Sequence, residues 1–141
     1  EIDAFKDCVN SLQQRLAIYE CLRDKEVEIF QPLAEQIVEA FPDRDQKTLE
    51  RALKHWLSIL RYSAMAMLLN NPEFLQHRLL EWLAPAIQVH QLGNIESTLY
   101  ELLLGNLQQF LSKPQLTLLQ PFLEQAKANI VNDRAFEASG V

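Results

Sequence analysis

The titratable side chains that could do chemistry are few, and their spacing is helical. Glu73, His77 and Glu81 recur at i, i+4 and i+8, which puts two carboxylates and an imidazole on one helix face. Such a face could ligate a metal, but no Asp/His cluster elsewhere completes a coordination sphere, so a solvated face is the expectation. The other histidines, His55 and His90, stand alone. Cys8 and Cys21 lie 13 residues apart on one helical stretch, a separation of about 20 Å at 1.5 Å per residue, and cannot bridge each other. Without nearby His partners they cannot build a zinc site either. No GxSxG, HExxH or glycine-rich phosphate loop occurs, and no Ser/His/Asp order suggests a nucleophile. The residues point to a binding protein and not to an enzyme.

Of 141 residues, 48% are hydrophobic and 23% charged, and 13 basic against 19 acidic side chains leave a net charge of −6. That is the profile of one globular domain over residues 1–141. A pI near 5.0 and no Lys/Arg cluster argue against a nucleic-acid partner. The longest uncharged apolar stretch, Tyr62 to Leu69, is far short of the roughly 20 residues of a membrane span. No basic region precedes an apolar export segment, so a cytoplasmic address is expected.

Leu, Ala, Glu and Gln dominate, and apolar residues recur at three and four, which predicts an all-α chain of about six helices. The first, residues 3–22, carries Phe5, Cys8, Leu12, Leu16 and Tyr19 on one stripe expected to face the core. The second, residues 25–41, turns Ile29, Phe30, Leu33, Ile37, Val38 and Phe41 inward, with Pro32 as a bend or boundary. The third, residues 45–69, has two apolar faces and therefore two neighbours. One is Leu49, Leu53, Trp56, Leu60, Ala64 and Met67; the other is Ala52, His55, Ile59, Tyr62 and Ala66. Asn70-Asn71-Pro72 ends it and starts a fourth helix to about residue 91, interrupted by Pro85. Gly93-Asn94 reads as a turn before a fifth helix to about residue 111. Gly105 inside that helix suggests close approach by another helix. Ser112-Lys113-Pro114 precedes a sixth helix over residues 115–134, and residues 137–141 read as a fraying tail.

The stretch Leu60-Arg61-Tyr62-Ser63-Ala64-Met65-Ala66, with Leu75, Arg78, Leu80 and Leu83 after it, resembles the central helix pair of the phycobiliproteins, and the match needs no gap. These are light-harvesting proteins of cyanobacteria and red algae. The resemblance implies a globin-like helical domain. It also implies association with the phycobilisome or its regulation, in the cytoplasm or peripheral to thylakoid membranes, through protein partners or a second copy.

Three departures bear on function. The family attaches its bilin through the cysteine of a Cys-x-x-Asp motif nine residues before the Arg-Tyr pair, and here Ala52 stands in that place. A thioether cannot form on a methyl group. The motif's Asp, which accepts from the pyrrole nitrogens, is replaced by His55, a group that can donate, accept or carry positive charge. Only 51 residues precede Ala52, too few for the family's usual amino-terminal hairpin. Cys21-Leu22-Arg23-Asp24 repeats the attachment tetrapeptide in letters, but lies 40 residues before Arg61 and is read as coincidence.

By the same resemblance, Ala52, His55, Ile59, Tyr62 and Trp82 would line the groove where the family's pigment lies. If that groove is open, His55 and Tyr62 could hold a non-covalent bilin, haem or other apolar ligand between the third and fourth helices. Haem would need His55 or His77 as its ligand, and His77 stands about 140° from Trp82 around its helix, toward solvent. If Trp82 fills the cleft, these are packing residues. The second alternative is the expectation: a non-chromophoric interaction module without a cofactor.

Overall fold

A computed structural model describes residues 2–81, 83, 85 and 93–132. Within them the chain is all-α and globin-like, with six helices and no strand among the described residues. They are α1 (Ile2–Asp24), α2 (Glu26–Ala40), α3 (Gln46–Leu69), α4 (Pro72–Leu75), α5 (Gly93–Leu107) and α6 (Lys113–Lys127). Helix α4 runs on into a π-helical turn over Gln76–Leu80, and α6 into another over Ala128–Asn132. Trp82, His90 and the expected tail at residues 137–141 lie outside the described residues.

Asparagine and serine set the boundaries. Asn70 adopts the left-handed conformation, φ 51° and ψ 49°, which a short polar side chain tolerates and which ends α3. The Asn71 side chain then accepts from the amides of Glu73 and Phe74 at 3.0 and 3.3 Å, with Pro72 at the first helical position. Ser112 and Gln115 close a reciprocal capping box at the head of α6. These devices put the start of α6 at Lys113 and the end of α5 at Leu107. Gly93 is the first residue of α5 instead of part of a turn.

Helix α3 is the axis of the fold, packed by α1, α2, α5 and α6. Most of its two expected apolar faces is buried: Leu49, Ala52, Trp56, Ile59, Leu60, Ala64, Ala66 and Met67 are in the core, while Leu53, His55 and Tyr62 are partly buried. Against them stand Ile29, Leu33 and Ile37 of α2, Ile95, Leu99 and Leu103 of α5, and Leu119 and Leu123 of α6. The backbone of α2 continues helical through Pro32, while Val38, expected inward, is exposed.

Two expectations need correction. The stripe expected to bury α1 faces outward: Phe5 is 70% exposed, Leu12 48% and Leu16 42%, and Cys8 is also exposed. The inner face is Ser11, Arg15, Ile18 and Leu22, half-buried or buried. Arg15 directs the choice of face, because its Nη1 donates to the carbonyls of Met67 and Leu68 at 3.4 and 3.2 Å. Those are last-turn carbonyls of α3, of which that of Met67 also accepts from the Asn70 amide at 3.0 Å. Gly105 has no close neighbour either: a methyl group built there would meet nothing within 4 Å.

Candidate functional site

Ala52 and Ile59 are wholly excluded from solvent in the packed face of α3. At the position where the resemblance places the family's attachment cysteine, therefore, a methyl group fills core space. His55, one turn on, is at the edge of that core, its side chain 16% exposed. Beneath it is an acid that sequence reading passed over. Glu96 of α5 is fully buried, and one carboxylate oxygen, Oε2, accepts the indole N–H of Trp56. The other, Oε1, is 3.9 Å from His55 Nδ1, too far for a hydrogen bond. Both Oε1 and Nδ1 are buried and without hydrogen-bond partners. The Trp56 ring also packs at a tilt on Tyr100, with centroids 5.8 Å apart. A signal for Glu96 was present: it shares the i, i+3, i+4, i+7 stripe of Leu99, Tyr100 and Leu103. An acid on an apolar helix face needs a buried donor.

Tyr62 lies elsewhere. It stacks on Phe74 of α4 with ring centroids 6.0 Å apart and planes inclined by 27°. This pair forms one wall of a groove of about 400 Å³ between α1, α3 and α4, completed by Tyr19, Leu22, Leu60 and Met65. Arg61 and Glu26 flank its mouth as a two-bond ion pair, Nε–Oε1 2.6 Å and Nη2–Oε2 2.9 Å. The hydrogen bond from Arg61 holds the Glu26 carboxyl below its ordinary value, against the opposing effect of partial burial, with the guanidinium charge adding to the lowering. Of the five residues expected to line one cleft, Tyr62 borders the groove, His55 faces Glu96, and Ala52 and Ile59 are core. Trp82 falls outside the described residues.

The Glu73, His77, Glu81 face is solvated. His77 Nδ1 lies 2.6 Å from Glu81 Oε1, and both side chains are more than half exposed. Among the described residues no group of three or more His, Cys, Asp or Glu side chains is placed to hold a metal. Nor, among them, is any helix long and apolar enough to cross a membrane.

Comparison with curated proteins and with solved structures finds no match. The family described as phycobilisome protein matches residues 1–93, a span that takes in α1 through α4, the Arg61-Tyr62 pair and the Ala52 position. This chain belongs to the phycobilisome protein family.

Proposed function

We propose that the chain is a non-chromophoric interaction module of the phycobilisome, one that binds protein partners and carries no covalent bilin. The observation that carries the reading is Ala52. Its side chain has no sulfur with which to form a thioether, and it is sealed inside the α3 core. The neighbouring position offers His55 beside the buried Glu96, so a pyrrole N–H would meet an imidazole where relatives supply a carboxylate.

The groove beside Tyr62 and Phe74 supports protein binding over pigment binding. It is open on one side, walled by aromatic and aliphatic groups, and suits an inserted side chain from a partner. An anionic tetrapyrrole would seek free guanidinium groups for its carboxylates, and the two that line the groove are engaged, Arg61 by Glu26 through two nitrogens and Arg23 by Asp24 through Nε.

The test is expression in cells that supply bilin and haem, followed by absorption spectroscopy and by co-sedimentation with isolated phycobilisomes. The reading expects no visible absorption band and recovery in the phycobilisome fraction, reduced by Tyr62→Ala. A pigment retained on the purified chain, or no association with phycobilisomes, would overturn it. If bands do appear, His55→Ala should weaken them.

A further inference from the structure

The exposed apolar stripe of α1 has an order that ordinary surface residues lack. Phe5, Cys8, Leu12, Leu16 and Tyr19 are separated by 3, 4, 4 and 3 residues, so the spacing reads the same in both directions about Leu12. At 100° per residue all five fall within about 40° of the Leu12 direction. Four of the five are exposed, and Tyr19 is half-buried at the groove. The amino-terminal half of α1 is covered by little else: Lys6, Asp7, Asn10, Gln13 and Gln14 are exposed as well. An apolar stripe on a poorly covered helix needs a second surface.

A stripe with this symmetry stays in register with itself when run antiparallel, because a two-fold axis perpendicular to the helices then sets residue i against residue 24 − i of the other copy. Leu12 meets Leu12, Cys8 meets Leu16, and Phe5 meets Tyr19. Charge follows the same pattern. Lys6 and Glu20 lie on the same flank of the stripe, at nearly equal distances on either side of Leu12, and both are exposed. Antiparallel pairing sets Lys6 of each copy beside Glu20 of the other, whereas parallel pairing would leave the two about 21 Å apart along the helices. Phe5, the most exposed aromatic of this helix, would come to rest at the rim of the groove that Tyr19 borders.

We propose that α1 is a self-association surface, and that its occupant is α1 of a second copy of this chain, packed antiparallel about a two-fold axis at Leu12. This deepens the reading of the chain as a protein-binding module and rests on it. Association with phycobilisomes persisting in a strictly monomeric protein would remove the pairing while leaving that reading intact.

Sedimentation equilibrium of the purified chain, together with disulfide trapping, tests the geometry. The parent chain is expected to dimerise at micromolar concentration. Leu12→Glu places two carboxylates on the two-fold axis and should weaken the dimer by about 100-fold, tenfold for each leucine withdrawn. Because Leu12 is half exposed in the single chain, far-ultraviolet circular dichroism should be unchanged. Under mild oxidation the parent should not cross-link, since Cys8 of the two copies would be about 12 Å apart along the helices. Leu12→Cys in a Cys8→Ser background should cross-link across the axis, and Leu16→Cys should cross-link to Cys8 of the second copy. A monomeric parent at 100 µM, as a rough upper working concentration, would overturn the proposal. So would a dimer indifferent to Leu12→Glu, or a parent that cross-links through Cys8 as parallel pairing requires.

Discussion

The indole nitrogen of Trp56 donates to Oε2 of Glu96, tying α3 to α5 across 40 positions of sequence at a point where neither side chain touches solvent. A carboxylate buried among Leu, Ile and aromatic side chains is tolerated only while its oxygens have donors. Here one oxygen is satisfied and the other faces an imidazole nitrogen that is itself unpaired.

This arrangement separates two substitutions of the same residue. Glu96→Ala removes the acceptor of a buried indole N–H and leaves a cavity, and should lower stability by about 2–4 kcal/mol. Glu96→Gln keeps an oxygen for Trp56 and can turn an amide N–H toward His55 Nδ1. Its stability should stay within about 1 kcal/mol of the parent, because the acceptor of the buried indole N–H is kept. Urea unfolding of both variants, followed by circular dichroism, measures the difference.

Gly105 offers a gain of stability. It is an exposed interior position of α5, where glycine is less favourable than alanine and no atom obstructs a methyl group. Gly105→Ala should stabilise the chain by about 0.5–1 kcal/mol. A rise of several degrees in the thermal midpoint is the expected readout, and a fall would mean that something does pack against this position.

These contrasts show what the sequence made legible. The six helices, both faces of α3 and the Asn-Asn-Pro boundary follow from local periodicity and capping chemistry, which depend on residues a few positions apart. The face of α1 was misread because its apolar stripe is more regular than its inner face. The decision lay with Arg15 reaching the carbonyls of Met67 and Leu68, more than 50 residues away. The expected cleft divides for a similar reason. His55 faces Glu96 of α5 and Tyr62 stacks on Phe74 of α4, two neighbours that no spacing within α3 reveals.

The ion pair of Arg61 with Glu26 makes an acid-side prediction. A carboxyl whose folded-state value is lowered contributes stability above its unfolded-state value, near 4.3, and loses it as pH falls through the lowered value. With the Arg61 side chain 60% exposed, the pair falls in the range of surface ion pairs, about 0.5–1 kcal/mol. Arg61→Met should be less stable than the parent by that amount at pH 7. The gap should close as pH falls below the unfolded-state value and through the lowered folded-state one, where the parent's carboxyl becomes protonated. Unfolding at a series of pH values, in low and high salt, measures it.

Tyr100 makes the corresponding prediction at alkaline pH. Burial raises its hydroxyl above the ordinary tyrosine value, the nearby carboxylates of Glu124 and Glu101 raise it further, and a hydrogen bond with Gln120 opposes them. The ammonium of Lys127 sits 4.6 Å from the ring centroid and holds the ring between α5 and α6. A raised folded-state value means the neutral phenol's contribution is complete below the unfolded-state value, near 10, and is lost as pH rises toward the folded-state value. In an ultraviolet titration compared with that of Tyr100→Phe, Tyr100 should therefore ionise above the ordinary tyrosine value, and Tyr100→Phe should flatten the loss of stability above about pH 10. A titration in which Tyr100 ionises at the ordinary tyrosine value would show that its hydroxyl reaches water and that the packing of α5 on α6 is looser than the geometry implies.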